Sequence, residues 1–245
     1  MDGRCYILHL LFQEGRARFL SPSVKFIPYS MVLWYCPVRI KPEDLGSVLL
    51  PDQIRKISMV KSILIVNGAI RVNGNTDILV NKIIEGSRNM ETDITVFNLR
   101  EKRISDCRGC YQCMEESTCS LQDDMTEIRG VMERSDLMVL ASPLYWCGVT
   151  GLMKTFIDRL FFYYHPKTKP LISAKKALII TPMNQKNVAH ESEVLVEFYN
   201  RLFNCLKVKI VEMVFFSDIM GKRMVLDRPD YLDRAYSIGK NLINW

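Results

Sequence analysis

Four of the eight cysteines in this chain lie within thirteen residues, a density that indicates metal or redox chemistry. They follow the pattern C-x2-C-x2-C-x5-C, at Cys107, Cys110, Cys113 and Cys119. Four thiolates on one short loop are the ligands that a zinc ion or an iron–sulfur cluster requires. Disulfides are not expected, because the tight triplet would leave an odd thiol and nothing in the sequence suggests export. The alternative is that the four cysteines serve only in packing.

The spacing of these cysteines favours iron over zinc. Zinc ribbons usually divide their ligands into two Cys-x2-Cys pairs that are separated by a longer stretch. Here three cysteines follow one another at Cys-x2-Cys-x2-Cys, a compact arrangement typical of 4Fe-4S loops. We therefore expect a redox-active 4Fe-4S cluster. Zinc remains an alternative because zinc and iron both accept four thiolates, and a loop without metal is the other alternative.

A loop rich in glycine and asparagine, residues 67–76, separates a predicted strand from a predicted helix. Backbone N–H groups and the helix dipole converge on an anion at such a junction. The loop has neither a terminal Gly-Lys-Ser/Thr nor a Gly-x-Gly-x-x-Gly pattern, so a single phosphate is expected rather than a pyrophosphate. The alternative is a turn that only connects two elements. The residues expected to hold the phosphate are Arg71, Asn73, Gly74, Asn75 and Thr76.

A second loop, residues 142–151, places two aromatic side chains between proline and glycine at the end of a predicted buried strand. Aromatic residues on such a loop make a wall for a flat ring, although they can also fold back onto the domain. A third segment, residues 181–184, is either a further wall of that site or an ordinary turn. The residues expected beside the ring are Pro143, Leu144, Tyr145, Trp146, Cys147 and Gly148.

The elements that must position these loops alternate between strand and helix after residue 60. Short apolar runs rich in β-branched residues predict five buried strands, at residues 62–66, 93–97, 137–141, 177–181 and 209–216. Helical spacing predicts helices at residues 76–87, 123–134, 150–164, 193–206 and 231–244, the second of them capped by Asp123-Asp124. This alternation is typical of a parallel, doubly wound α/β sheet, which binds ligands beyond the carboxyl ends of its strands.

Residues 1–60 have a different texture from the rest of the chain. They show no sustained period, and they hold five of the ten prolines. The texture changes at Met59, directly before the first predicted strand. We consider two interpretations: a mis-called start with Met59 as the natural one, or a genuine irregular extension that packs on the domain or on a partner. The predicted domains are therefore an N-terminal extension at 1–60 and an α/β domain at 61–245, with the cysteine loop 107–119 inserted.

Composition excludes several classes of protein. The chain is 48% apolar and 24% charged, as is usual for a globular domain, and its net charge is +6. No basic stripe carries interleaved aromatic residues, so nucleic acid is not an expected partner. Apolar runs are only strand-length, so no membrane span is expected, and the first residues lack the features of a signal peptide. We therefore expect a cytoplasmic protein.

Together, the loops resemble those of the flavodoxin-like NAD(P)H-dependent FMN reductases, and within that superfamily those of the iron–sulfur flavoproteins. The resemblance covers about residues 61–216. The family's phosphate loop, Gly-Ser-x-Arg-x-x-Gly-Asn-Thr, is matched by residues 68–76, where Ala69 replaces the usual serine and removes one hydroxyl donor. The flavin loop, Ser-Pro-x-Tyr-aromatic, is matched by residues 142–146. Further matches to the family are Lys154, Asp158-Arg159, the four cysteines and Asp123-Asp124-Met125.

The resemblance implies a sheet order of 2-1-3-4-5, with FMN at the point where that order reverses. It implies reduction of the flavin by NAD(P)H or by a redox-protein carrier, and transfer of electrons to an acceptor. In the iron–sulfur flavoproteins the four cysteines ligate a 4Fe-4S cluster near the FMN of a neighbouring subunit. The resemblance therefore also implies a homo-oligomer, either a dimer or a tetramer. No catalytic side chain is expected, since hydride transfer to a flavin does not require one.

Two other functions remain open from the sequence. One is a plain NAD(P)H-dependent FMN or quinone reductase whose cysteines bind no cluster. The other is a non-catalytic flavin-binding module whose cysteines hold a structural zinc ion. Lys154 and Asp158 lie one helical turn apart, which predicts either a surface ion pair or a subunit contact.

Overall fold

The structure is a computed structural model that describes residues 62–88 and 91–245, and in this part of the chain five parallel strands form one sheet. The predicted extension at 1–60 and its boundary lie outside the described residues. The strands run in the order β2-β1-β3-β4-β5, which confirms the predicted fold class and strand order. Their bounds are β1 Ser62–Asn67, β2 Asp93–Asn98, β3 Leu137–Ala141, β4 Lys176–Pro182 and β5 Lys209–Phe216.

The three central strands are almost fully buried, whereas the edge strands β2 and β5 are partly exposed. Continuous runs of apolar residues suit the centre because helices cover both faces of a parallel sheet. The strand order reverses at β1, which pairs with both β2 and β3. Asn67, at the end of β1, pairs with Asn98 and with Ala141, so three strands end at the same level. This edge is where a doubly wound sheet binds its ligand.

Six α-helices connect or follow the strands in the described residues. Their bounds are α1 Asn75–Ser87, α2 Gln112–Glu115, α3 Met125–Arg134, α4 Gly151–Arg159, α5 Val188–Leu206 and α6 Pro229–Asn241. The predicted helix at 150–164 is shorter than expected, since α4 ends at Arg159 and continues as a 3₁₀-helix, Leu160–Tyr164. Helix α5 begins earlier than predicted, because the side chain of Asn187 accepts the backbone N–H of His190 and caps it.

The predicted cap of α3 is divided between two aspartates. Asp123 Oδ1 accepts the backbone N–H of Met125 at 3.1 Å, as a capping residue does. Asp124 instead accepts the backbone N–H of Arg103 at 2.7 Å and so holds the chain that leads from β2 to the cysteines. The short helix α2 lies inside the cysteine segment, which the sequence predicted as a loop.

Side chains alternate between the two faces of the sheet and build two cores. Leu64 and Val66 face the core that α3, α4 and α5 cover. Ile63 and Ile65 face the opposite core, which α1 and α6 cover. Both cores are continuous along the central strands, so the loops at the carboxyl edge rest on a rigid support.

Helices α1 and α6 approach so closely that two glycines are required at the contact. A Cβ on Gly239 would lie 2.0 Å from the carbonyl oxygen of Ile83, and one on Gly86 would lie 2.1 Å from that of Tyr236. Both obstacles are backbone atoms, which cannot move aside as a flexible side chain can. This contact fixes the position of α1, whose N-terminus begins at the predicted phosphate loop.

Within residues 62–88 and 91–245, no helix combines the length and the apolar character that a membrane crossing needs.

Candidate functional site

A cleft of about 120 Å³ opens at the carboxyl edge of the sheet. Four loops form it, those that follow β1, β3, β4 and β5. The sequence predicted the first two loops as walls and left the third open between a wall and a turn, and it missed the fourth. The lining residues are Ala69, Ile70, Arg71, Gly74, Asn75, Thr76, Pro143, Leu144, Tyr145, Pro182, Met183, Asn184, Ile219, Met220 and Lys222.

The first loop brings Arg71 and the N-terminus of α1 to the cleft. Gly74 donates its backbone N–H to the carbonyl of Arg71 at 3.2 Å and closes a turn before the helix. A Cβ on Gly74 would lie 3.1 Å from that same carbonyl oxygen, so a larger residue would open the turn. The first N–H groups of a helix have no acceptor within it. Those of Asn75 and Thr76 are therefore suited to an anion, as is the exposed guanidinium of Arg71.

Asn73 is predicted to hold the phosphate but, unlike Arg71, Gly74, Asn75 and Thr76, it does not line the cleft. Its φ is +54°, in the left-handed region that asparagine tolerates better than most residues. Its backbone N–H donates to Asp77 Oδ2 at 2.7 Å, and its side chain is exposed. The structure thus uses Asn73 to turn the loop and does not bring it into the cleft.

The side chain of Asn75 holds the fourth loop. Its Nδ2 donates to the carbonyl of Gly221 at 2.9 Å and to that of Ile219 at 3.3 Å. Its Oδ1 accepts the backbone N–H of Val225 at 3.2 Å. The amide is therefore fully engaged, and only the backbone N–H of Asn75 is left to serve the cleft. This fourth wall follows β5, where a doubly wound sheet is expected to place a ligand loop, but no motif marks it.

The second loop brings Pro143, Leu144 and Tyr145 to the cleft but leaves Trp146, Cys147 and Gly148 outside it. Tyr145 and Gly148 exchange two backbone hydrogen bonds of 2.9 Å, which close a two-residue turn. Trp146 and Cys147 occupy that turn with φ values of +48° and +59°, and both residues are exposed. Trp146 is fully exposed, whereas Tyr145 is 39% exposed at the mouth of the cleft.

One buried threonine ties the first two loops together. Thr150 Oγ1 donates to the carbonyl of Gly68 at 2.7 Å and accepts the backbone N–H of Met153, which caps α4. The backbone N–H of Thr150 donates to Ser142 Oγ at 3.1 Å. The third wall is fixed in a similar way, since Leu144 donates its N–H to the carbonyl of Pro182 at 3.0 Å. The cleft walls are therefore linked to one another.

A buried polar network that no sequence motif predicts lies beneath the first loop. Asp77 Oδ1 accepts hydrogen bonds from Asn67 Nδ2 at 2.6 Å and from the Arg100 guanidinium at 2.9 Å. Asn67 Oδ1 accepts the backbone N–H of Ala69 at 3.0 Å, and Arg100 donates to the Ala69 carbonyl at 3.2 Å. The network therefore forms hydrogen bonds with both the backbone N–H and the carbonyl of Ala69, which lines the cleft. Its members come from β1, from the loop that follows it, from α1 and from the 3₁₀-helix Leu99–Glu101 that follows β2, and no local motif links them.

The four predicted cysteine ligands line one small cavity of about 30 Å³ together. Arg108, Arg159 and Phe161 also line it. Among the described residues, no group of three or more His, Cys, Asp or Glu side chains has the arrangement of a metal site. The donor set of four sulfur atoms fits an iron–sulfur cluster or zinc by its chemistry. Their present geometry does not form a closed ligand shell.

The thiols in this cavity differ in acidity. The hydroxyl of Ser120, 3.3 Å from Cys110 Sγ, and the backbone N–H of Gln112 lower the pKa of Cys110. Burial and the three neighbouring thiols raise the pKa of Cys113. Burial is the larger cause of the raised pKa of Cys113, and repulsion from the neighbouring thiolates adds to it.

Arg159 anchors the end of the cysteine segment to α4. Its guanidinium, which is buried, lies 2.6 Å from Asp123 Oδ2 and donates to the Ser105 carbonyl at 2.8 Å. It also lies 3.5 Å from Cys119 Sγ. Burial works to raise the pKa of Asp123, but the hydrogen bonds from Arg159 and from the Ser105 N–H outweigh it, and the pKa is lowered. Arg159 is thus a buried anchor.

Lys154 and Asp158, by contrast, form an exposed ion pair on the same helix, with Nζ and Oδ1 2.7 Å apart. Of the two predicted alternatives, a surface ion pair and a subunit contact, the structure shows the surface ion pair.

The chain matches one known protein family over the residues that form most of the cleft. The sequence profile of the family described as NADPH-dependent FMN reductase matches residues 62–213, which is more than half of the chain. The match begins with β1 and ends within β5, so it includes the first three walls of the cleft and the cysteine segment.

Two curated relatives are iron–sulfur flavoproteins. The chain is 36% identical to one from Archaeoglobus fulgidus over 101 residues, 41% of this chain and 46% of the relative. It is 31% identical to one from Clostridioides difficile over 122 residues, 49% of this chain and 52% of the relative. The matched segments thus span about half the length of these relatives.

Among solved structures, an NAD(P)H:quinone oxidoreductase from Methanothermobacter marburgensis superposes with a TM-score of 0.62 at 19% identity. The alignment covers 74% of this chain and 98% of that one. At this identity the likeness concerns the fold, and it agrees with the five-stranded parallel sheet.

Proposed function

The chain belongs to the NADPH-dependent FMN reductase family, and from this premise we propose that it is an FMN-dependent oxidoreductase. It takes electrons from NAD(P)H, or from a redox-protein carrier, and passes them to an acceptor. The observation that carries this proposal is the cleft at the switch point of the sheet, which combines anion donors at one wall with Pro143, Leu144 and Tyr145 at the next. Residues of two of the family's loops, 68–76 and 142–146, line that cleft.

The residues divide into a phosphate end and a ring end. Arg71, with the backbone N–H groups of Asn75 and Thr76, binds the phosphate, because a charged guanidinium and a helix N-terminus both favour a dianion. Leu144 and Tyr145 orient the ring and exclude water from one side of it. When bound, FMN supplies hydride and single-electron chemistry, so these side chains need only to bind and to orient.

We further propose that Cys107, Cys110, Cys113 and Cys119 hold a 4Fe-4S cluster. Two observations support this proposal: the four sulfur atoms line one cavity, and two relatives that share about a third of the matched residues carry the name iron–sulfur flavoprotein. The buried Arg159, 3.5 Å from Cys119 Sγ, offsets negative charge on the thiolates. The rival proposals are zinc at the same sulfur atoms, or no metal and a plain FMN or quinone reductase.

Anaerobic purification followed by cofactor analysis tests both proposals. We expect one FMN per chain, with about four iron and four sulfide, and a broad absorption shoulder beyond the flavin bands. Cys110→Ser should remove the iron and the shoulder while FMN remains. Stoichiometric zinc, or flavin without metal, would overturn the cluster and leave the reductase. Failure to bind FMN at all would overturn the flavin site itself.

The family likeness also supports a homo-oligomer, a dimer or a tetramer, and a cytoplasmic setting in which the thiols stay reduced. Light scattering on the cofactor-loaded protein measures the oligomeric state, and the mass of a single 28.4 kDa chain would exclude a homo-oligomer.

A further inference from the structure

The network beneath the first loop contains a buried carboxylate directly below the site at which the proposed function needs to bind an anion. The side chain of Asp77 is 8% exposed, that of Arg100 is 14% exposed, and the two lie 2.9 Å apart. Neither residue lines the cleft or belongs to a motif of the sequence. Their position relative to the first loop is what calls for an explanation.

Asp77 accepts a hydrogen bond that stabilises the turn of the first loop. Asn73 adopts a φ of +54°, and its N–H turns inward, where Asp77 Oδ2 accepts it at 2.7 Å. Asp77 lies in the first turn of α1, the position from which a side chain reaches back to the residues before the helix. The loop that presents Arg71 and Gly74 therefore owes its turn to this carboxylate.

The same carboxylate works against phosphate binding. A negative charge in the first turn of α1 lies at the helix end that a phosphate would occupy. It therefore reduces the positive potential that the helix dipole provides for the phosphate. Two like charges that share a site repel each other more strongly where water is excluded. An uncompensated Asp77 would therefore weaken the anion site that it shapes.

Arg100 removes this conflict. Its guanidinium donates to Asp77 Oδ1 and, from the same nitrogen, to the carbonyl of Ala69 at 3.2 Å. Arg100 also approaches Glu101, at 3.4 Å, but that carboxylate is largely exposed and therefore screened. The partner that Arg100 neutralises in the interior is Asp77.

We propose that Arg100 is a positioning residue that cancels the charge of Asp77, so that a carboxylate can shape the first loop without repelling the phosphate of FMN. This inference rests on the proposed function. It predicts that Arg100 matters for ligands with a phosphate and not for the same ring without one.

The test compares FMN with riboflavin, which carries the same ring but no phosphate, by titrating the full-length apoprotein and following flavin fluorescence. Arg100→Gln keeps a donor for Ala69 but removes the charge, and we expect it to weaken FMN binding about tenfold, the factor that 1.4 kcal/mol represents. Riboflavin affinity should change by less than about twofold, because riboflavin carries no phosphate for the charge of Asp77 to repel. Arg100→Lys should restore most of the FMN affinity.

Two controls separate charge from folding. Arg201→Met removes an exposed cation that pairs with Glu197 on the same helix, and it should alter neither affinity. The double variant Asp77→Asn/Arg100→Gln removes both charges, and it should bind FMN better than Arg100→Gln alone. That result would also support the proposal if Arg100→Gln itself folded poorly.

Three outcomes would overturn the inference: equal losses of FMN and riboflavin affinity in Arg100→Gln, no loss of either, or no rescue by Arg100→Lys. A wild-type protein that bound neither flavin would instead refute the proposed function. The two failures are therefore distinguishable.

Discussion

At the scale of single residues, the contribution of an ion pair to the stability of this protein depends on how deeply the pair is buried. Lys154 and Asp158 pair in solvent, whereas Arg159, one residue further along the same helix, is buried against Asp123. Exposed pairs contribute little to stability, while breaking a buried pair leaves an uncompensated charge. Sequence spacing detects the first kind of pair but not the second, because Asp123 and Arg159 are 36 residues apart.

Arg71→Ala tests the phosphate end of the cleft. Loss of a charge-assisted contact should cost about 1.5–3 kcal/mol, or roughly ten- to a hundredfold in FMN affinity. Titration of the apoprotein measures this, with riboflavin as the ligand that should bind equally to both proteins. Unchanged FMN affinity in Arg71→Ala would remove Arg71 from the site.

Asp123→Asn tests the anchor of the cysteine segment. The lowered pKa of Asp123 in the folded state means that its stabilising contribution is present above its unfolded value of about 3.9 and is lost as the pH falls through the folded value. The variant should be destabilised by about 3 kcal/mol at pH 7, and the difference from wild type should shrink below about pH 4.

Urea unfolding between pH 2.5 and 7 would follow that change, and Asp158→Asn is the matched control. Its partner lies on the same helix but in solvent, so it should alter stability by less than about 1 kcal/mol. Equal effects of the two substitutions would show that the Asp123 pair is not buried in solution.

At the scale of elements, the sequence predicted what depends on burial and local periodicity. Strand β3 was predicted with its observed bounds because a strand covered on both faces is a continuous apolar run. The bounds of the edge strand β5 were also predicted, since β-branched and aromatic residues dominate it although Glu212 interrupts the apolar run. The break between α4 and the 3₁₀-helix Leu160–Tyr164 was missed, since both keep apolar residues on the same side and no proline or glycine marks the change.

The candidate site was predicted in part for a similar reason. Loops that follow buried strands can be located from the sequence. Two of the four cleft walls were predicted as walls, the third was left open between a wall and a turn, and the fourth was missed. The direction of individual side chains could not be predicted: Trp146 and Cys147 adopt positive φ values that tryptophan and cysteine do not signal. Arg100 and Asp77 pair across 23 residues, and such a contact exists only once the sheet has formed.

Gly239→Ala tests the contact that positions α1. A methyl group 2.0 Å from the Ile83 carbonyl oxygen cannot be accommodated without moving a helix, and we expect a loss of about 3 kcal/mol in the free energy of unfolding. Gly130→Ala in α3 is the matched control, since its nearest neighbour is the flexible end of Arg134 at 3.5 Å. That substitution should stabilise the protein by about 0.5–1 kcal/mol through helix propensity. Denaturant unfolding measures both, and similar values would contradict the close approach of α1 and α6.

At the scale of the whole molecule, the sheet, both cores and all four cleft walls lie within residues 62–245. A chain that begins at Met59 should therefore fold and bind FMN with the affinity of the full-length chain. Expression of the shortened chain, followed by FMN titration, checks this. An insoluble product or a weaker affinity would make residues 1–58 part of the functional unit.

The central claim is that the cleft at the switch point holds an FMN that NAD(P)H reduces. The most direct measurement is anaerobic addition of NADPH, and separately of NADH, to the FMN-loaded protein while the flavin absorption is recorded. We predict that the flavin bands bleach with at least one of the two nucleotides, and that Arg71→Ala, loaded with less FMN, bleaches in proportion to its flavin content. Flavin bands that dithionite bleaches but neither nucleotide affects would contradict the claim and leave a redox-protein carrier as the electron donor.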